Sequence, residues 1–330
     1  IISCRHNRSQ TIPPQMHTPN IKSYILTLPE VATWPELASF LEEAEDKSRL
    51  DWSLPIIACQ AVGGEPAQAI PGSAAIVCMQ VSIILVDDIL DDDPRGHHLR
   101  VGAGPAANLA LALQMLAFRA IEQAVDNLER RTAVTASLTW LALATAFGQQ
   151  LDAQNLKDEE NYWRLVKAKS TPFYASACHI GALLGRADSK QAEGLRDFGA
   201  LLGEIIQIQD DVIDAFEKPA NPDWKQGRNN LLLLYALTAN HPARLRFLEL
   251  RPRADDPEAL REAQQILLSS GAVSYCVYHL VRRHQQARNL LDSLSLPNPE
   301  PLLEMLASQT KPLIQLLETS GARIPPELQL

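Results

Sequence analysis

From about residue 23 to the C-terminus, apolar residues recur at i, i+3, i+4 and i+7 almost without a break, and no stretch alternates with the period of two that a half-buried strand needs. A chain patterned this way buries its apolar stripes only by packing long helices against one another. Composition agrees: Ala, Leu, Ile, Gln and Glu dominate while aromatics make up only 5%. The periodicity predicts helices over roughly 33–47, 50–62, 67–91, 104–127, 130–153, 158–184, 188–216, 227–239, 256–269, 272–293 and 299–319. Thr33 reads as the N-cap of the first, with Pro35 in its opening turn and acids behind. Residues 1–22 lack periodicity and are rich in Pro, Thr and Asn, so they read as a disordered or loosely held arm. No repeat or linker interrupts the rest, which predicts a single all-α domain over 23–330, a large helical bundle.

The formal charge of −9 and the lack of a basic stripe argue against nucleic acid as a partner. Cys4, Cys59, Cys78, Cys178 and Cys276 are odd in number and scattered, which suits small core residues of a reducing compartment rather than disulfides or zinc ligands. Gln80, Glu204 and Gln207 interrupt the best apolar runs, so no transmembrane segment is expected and the protein is placed in the cytoplasm.

Two acidic clusters stand out against this background. "DDILDDD" at 87–93 follows "AIVCMQVSIILV", and "DDVID" at 210–214 follows "LLGEIIQIQ". Each ends an apolar helix with Asp-Asp-x-x-Asp, stacking like charges on one face at a cost of roughly 0.2–0.5 kcal/mol per pair, with the helix dipole adding to it near a C-terminus. One such cluster could be solvated surface. Two matched ones point to hard divalent cations, since magnesium prefers a few carboxylate oxygens, retained waters and substrate phosphates. Clusters facing one another across a bundle would hold several ions and, through them, one diphosphate. Its outer oxygens would find cations in Arg95, Lys169, Lys218, Lys225 and Arg228. Such a site abstracts diphosphate from an apolar substrate by stabilising the leaving group's charge.

"DDILD", "GEIIQIQDDVID", "AKS" and "DWKQGRNN", in that order between about residues 47 and 240, resemble the two aspartate-rich motifs, the Lys-Thr/Ser motif and the lysine loop of the trans-isoprenyl diphosphate synthases, or polyprenyl synthetases. The resemblance implies the all-α isoprenoid synthase fold with a central apolar cavity, magnesium (about three ions, replaceable by manganese), allylic isoprenyl diphosphate substrates and a homodimer. It implies that Asp87, Asp88, Asp91, Asp210, Asp211 and Asp214 bind the metal, and that Lys169, Ser170, Gln207, Lys225 and Arg228 hold the allylic diphosphate. Gln149 and Asp152 of "GQQLD" would lie beside the ions.

The chain also departs from that family. The Gly-Gly-Lys-x-x-Arg-Pro motif that binds isopentenyl diphosphate in chain-elongating members is replaced by "KSRLDWSLP", which puts Ser48 and Asp51 where Lys and Arg should be. Lys47 or Arg49 could substitute after a slip of register. Gln80 matches a residue that helps hold that substrate, and Arg95 the second of a usual Arg pair whose first member is here Pro94.

Chain elongation or a related prenyl transfer leads the resulting readings. A terpene cyclase of the same fold, a prenyltransferase acting on a peptide or other acceptor, and a regulatory subunit follow. In the family the growing chain runs past the residues before the first motif. Ile83 and Met79 would line its tunnel floor and small Ser82 would leave room beside them, so a product at least as long as geranylgeranyl diphosphate is expected. His97 and His98 read as surface or phosphate-neighbouring residues, and Arg282 and Arg283 as a solvated face. The five Trp residues read as packing, with Trp224 a possible cover for the site.

Overall fold

The structure, a computed structural model, describes residues 21–43, 50–154, 158–221, 223–226 and 230–319. Among the described residues there are α-helices, one 3-10 turn and no strand. In chain order the helices are α1 (Ile21–Leu26), α2 (Pro29–Ala32), α3 (Pro35–Glu43), α4 (Leu50–Ala61), α5 (Pro66–Leu90), α6 (His98–Val101), α7 (Ala103–Ala124), α8 (Leu128–Ala153) and α9 (Glu159–Lys169). They continue as α10 (Thr171–Leu184), α11 (Ser189–Phe216), α12 (Asp223–Gln226), α13 (Leu231–Thr238), α14 (Arg244–Leu250), α15 (Pro257–Ser269), α16 (Ala272–Ser293), α17 (Glu300–Ser308) and α18 (Lys311–Thr319).

Within the span expected to be one all-α domain, the chain gathers into two compact units. Of the described residues, the first takes those up to Thr145, Pro172–Ala200 and Leu290–Leu302, and the second takes those of 146–171, 201–289 and 303–319. In the first unit α5 is the central element, packed by α1, α4 and α7. Residues 71–80 of α5 are all buried, which is why its sequence is apolar on every face and not striped. Each side chain the size of Ile76 or Met79 taken fully out of water contributes roughly 1.5–3 kcal/mol. In the second unit α13 packs against α9, α14 and α15.

Several boundaries differ from the pattern-based expectation. The helix expected over 158–184 breaks at Ser170, and the one over 299–319 breaks at Gln309 and Thr310. In both cases a proline, Pro172 or Pro312, stands second in the new helix, where its missing N–H costs nothing but cannot continue the preceding ladder. Thr33 does not cap α3; it closes α2, donating its hydroxyl to the Pro29 carbonyl at 3.0 Å. Of the arm expected over 1–22, only Ile21 and Lys22 are described, and they open α1. The short α2, α6 and α14 have too few turns to stand out as periodic.

The reason given for expecting no transmembrane segment does not hold by length and composition. Pro66–Leu90 and Ala103–Ala124 are long and apolar enough to cross a bilayer, because a lone uncharged Gln80 leaves the first with a mean hydropathy of 2.1. That helix has 72% of its most apolar window buried inside the protein, as a core helix does. Cys59, Cys78, Cys178 and Cys276 are free and buried, as expected of small core residues; Cys4 lies outside the described residues.

Candidate functional site

The first acidic motif belongs to the first unit. Asp87 and Asp88 occupy the last turn of α5 and Asp91 is its C-cap, its N–H donating to the Asp87 carbonyl at 2.9 Å. Asp88 is buried and Asp87 and Asp91 half-buried. The chain then turns tightly through Asp92, whose φ of 49° is left-handed, and the Asp93 N–H returns to the Asp88 carbonyl. Arg95 turns toward Asp93: its N–H donates to Asp93 Oδ1 at 2.8 Å and its exposed guanidinium lies 3.4 Å from the same oxygen.

One turn deeper in α5 lie the residues expected to meet the hydrocarbon chain. Ser82 and Met79 are fully buried and Ile83 half-buried. Gln80 is 0% exposed, and its Oε1 accepts the Trp52 indole N–H at 2.5 Å. Asp51, expected to stand where a diphosphate-binding arginine would, is itself buried. Lys47, Ser48 and Arg49 lie outside the described residues.

The second motif belongs to the second unit and sits in a denser network. Asp211, 3% exposed, accepts from the Tyr162 hydroxyl at 2.6 Å and the Leu231 N–H at 2.8 Å on Oδ2, and from the Gln207 amide at 2.8 Å on Oδ1. Gln207 in turn accepts from the Ser170 hydroxyl at 2.6 Å. Asn230 caps α13 and donates its amide to the Asp211 carbonyl, tying the start of α13 to α11. Burial lifts the Asp211 carboxyl to about 7, against the pull of its three donors, with the Asp223 charge adding to the rise. Asp214 goes to about 8, by burial first and then by the charges of Asp223, Asp211 and Glu217. Burial, and then the Asp211 charge, holds the Tyr162 phenol well above its ordinary value, so it remains a donor.

Lys169, expected to bind diphosphate, is 1% exposed, and its Nζ lies 2.7 Å from Asp152 Oδ2. The break at Ser170 makes Lys169 the last residue of α9. Gly148 lets α8 approach it: a Cβ there would stand 2.6 Å from the backbone N and Cα of Lys169. Gln149, one residue on, is half-buried, and so is Asp210. Lys218 is exposed. Arg228 and the side chain of Lys225 lie outside the described residues.

Sequence reasoning missed Tyr162, Asp223, Asn230 and the reach of Arg283. Tyr162 stands seven residues before Lys169, on the same face of α9, which was the available signal. Asn230 before "LLLL" was a readable N-cap. Arg283 is no solvated residue: its side chain is 12% exposed, pairs with Glu204 and stacks 3.9 Å from the Trp163 ring centroid. Trp224 is fully buried against Phe247, as a packing residue.

Among the described residues, no three His, Cys, Asp or Glu side chains already converge as a closed metal cage. The donors nevertheless fit a hard cation that keeps waters and shares substrate oxygens. They are all carboxylates, and the mutual repulsion of Asp211, Asp214, Asp223 and Glu217 is what a divalent ion relieves. Asp211 fits least as a direct ligand, because protein donors occupy both its oxygens.

A short chain isoprenyl diphosphate synthase from Methanothermobacter thermautotrophicus is 28% identical over 274 residues, spanning 77% of this chain and 83% of the relative. A geranylgeranyl diphosphate synthase from Methanosarcina mazei is 29% identical over 212 residues, spanning 60% of this chain and 65% of the relative. The crystal structure of a geranylgeranyl pyrophosphate synthetase from Pyrococcus horikoshii superposes with a TM-score of 0.76 at 21% identity, covering 88% of this chain and 93% of the other, which gives the all-α isoprenoid synthase fold. The sequence pattern of the polyprenyl synthetase family matches residues 53–267, the stretch that carries both acidic motifs, Lys169 and the Asp211 network, and the chain belongs to that family.

Proposed function

We propose that the chain is a metal-dependent prenyltransferase that ionises an allylic isoprenyl diphosphate and joins the prenyl group to isopentenyl diphosphate, forming products of geranylgeranyl length or longer. Magnesium, when bound, neutralises the charge that grows on the departing diphosphate. Asp87, Asp88, Asp91, Asp210 and Asp214 supply the hard oxygen donors, while Asp211 orients its neighbours through Tyr162, Gln207 and Leu231. Lys169 supplies a buried cation for the diphosphate once Asp152 shares it. Gln149 and Ser170 place polar groups beside this pair, and Lys225 and Arg228 follow in the loop. Ser82, Ile83 and Met79 line the path of the hydrocarbon tail. The observation that carries the reading is the buried Asp211 network, with the buried Lys169–Asp152 pair of the same unit, within a stretch matched by the polyprenyl synthetase pattern. The relatives named as geranylgeranyl and nonaprenyl diphosphate synthases support elongation as the outcome.

The Trp52–Gln80 contact and the buried Asp51 favour a second reading, in which the cation meets a different acceptor or cyclises. Incubation with magnesium and each allylic diphosphate, with and without isopentenyl diphosphate, separates the two. Longer diphosphates on chromatography support elongation; pyrophosphate release without them supports the second reading; no release overturns both. Under the elongation reading Ser82→Phe fills the tail's path and shortens the product, and an unchanged product length removes the tunnel assignment.

We also propose a homodimer. Leu111 and Met115, one turn apart on α7, and Leu143 on α8 are large apolar side chains left exposed, candidates for burial against a second copy. Light scattering should give twice the 36.4 kDa chain mass, and Leu111→Glu with Met115→Lys should give a monomer.

A further inference from the structure

We propose that His98 is a diphosphate-binding residue of the first motif, donating a ring N–H to an oxygen of the pyrophosphate group held there. The inference rests on the reading above that this motif holds a diphosphate, and names a contact for it that comes from outside the aspartates and the expected cations.

His98 opens the short α6, and its side chain is 8% exposed. Neither ring nitrogen has a hydrogen-bond partner among the described residues. Unmet buried donors and acceptors are rare in folded proteins, because each forfeits its hydration and gains nothing in return. The nearest carboxylate is Asp92 Oδ1, 3.8 Å from Nε2 and beyond hydrogen-bond range. Asp92 is also 95% exposed on its left-handed turn, so water screens it, and it does not account for a buried imidazole.

The position of the ring names its ligand. Gly96 is wedged between His98 and the first motif: a Cβ on Gly96 would lie 2.4 Å from His98 Nδ1 and 3.0 Å from Asp88 Cβ. The missing side chain lets the imidazole lie beside the buried aspartate. Every polar side chain that the motif itself contributes is a carboxylate, which accepts hydrogen bonds and cannot donate them when ionised. Arg95, the cation of the same turn, is engaged with Asp93 and faces solvent. A diphosphate at this motif therefore needs a donor, and His98 is the buried group beside Asp88 that has one. Magnesium is a poorer match for the ring, since it takes oxygen ligands.

Isothermal titration of inorganic pyrophosphate in excess magnesium chloride, into the wild type, His98→Phe and His98→Gln, tests this. The phenyl ring keeps the shape and removes both nitrogens, whereas the glutamine amide restores a donor near the place of Nε2. His98→Phe should weaken pyrophosphate about tenfold or more and raise the KM for the allylic diphosphate by a similar factor, and His98→Gln should recover most of both. His98→Ala is the parallel donor-less variant should the phenyl ring not be accommodated. Binding within about twofold of wild type in the donor-less variant, or a His98→Gln no better than it, overturns the role of His98 alone. A wild type that binds no pyrophosphate in magnesium overturns this inference together with the proposed function.

Discussion

Asp211 is the centre of a buried hydrogen-bond network whose loss is measurable apart from any reaction. Removing its carboxylate strands the Tyr162 hydroxyl, the Leu231 N–H and the Gln207 amide in the interior. Asp211→Ala should therefore cost about 3–5 kcal/mol, the order expected when a buried polar network loses its centre. Asp211→Asn should cost much less, because a flipped Gln207 can accept from the new amide and donate to the Ser170 hydroxyl. Denaturant midpoints of the two variants check this, and equal losses would remove Asp211 from the centre of the network. Asp210, half-buried one residue earlier, should behave in the opposite way: Asp210→Ala should abolish pyrophosphate release while costing under about 1 kcal/mol of stability. His284, on α16 and buried, supplies a pH test at a residue that belongs to neither motif. Burial, and then the charge of Arg288, lowers its pKa below the ordinary 6.5, so the unfolded chain binds its proton better. Its contribution is intact above pH 6.5 and is lost as pH falls below that value toward the folded pKa. The stability difference between wild type and His284→Gln should therefore shrink between pH 7.5 and 5.5 in thermal melts, and a pH-independent difference would contradict this account.

At the scale of elements, the decisive feature is where helices stop and how closely they pass. Gly148 on α8 sits against the backbone of Lys169, and backbone atoms cannot move aside as a flexible side chain can. Gly148→Ala should force the two helices apart, costing about 1–3 kcal/mol net of the better helix propensity of Ala. It should also weaken the Lys169–Asp152 pair, so turnover should fall further than in an Ala substitution at exposed Gln150. Comparable activity in the two variants would show that the close approach does not matter. These elements also show which information the sequence carried. Both acidic motifs, Lys169, Ser170 and Gln207 could be proposed as candidates because each belongs to a short local motif, on α5, at the end of α9 or on α11. The stop at Ser170 was signalled by Pro172 and lost beneath an unbroken apolar pattern. Tyr162, Asp223 and Arg283 could not be ranked from spacing, because their meaning lies in partners such as Asp211, Asp214 and Glu204, 49 residues distant for Tyr162 and 79 for Arg283. Gln80 was placed correctly on α5, but the Trp52 indole that closes over it became visible only once α4 packed against α5.

Over the whole molecule, the net charge of −9 opposes any anionic ligand, so a diphosphate binds only if cations accompany it. The acids of the two motifs, part of that total, concentrate negative charge where the ligand is proposed to bind. Metal and diphosphate should therefore bind as one linked event, and the folded chain should gain stability only when both are present. A ligand that binds the folded state alone stabilises it by RT ln(1 + [L]/Kd), or about 2.7 kcal/mol at a hundred times Kd. For a chain of 330 residues, with an unfolding entropy near 2.1 cal/mol/K per residue, that is a rise in Tm of about 4 °C. Pyrophosphate with magnesium chloride should give such a shift by differential scanning calorimetry, while pyrophosphate with a chelator should give none. Asp87→Ala and Asp210→Ala should each reduce it, the first testing the motif of one unit and the second that of the other. Calorimetry suits a chain of two compact units because it resolves separate transitions where a single-probe melt would assume one. An equal shift in the presence of the chelator would mean that the diphosphate finds its positive charge in side chains alone, and the acidic motifs would then need another purpose.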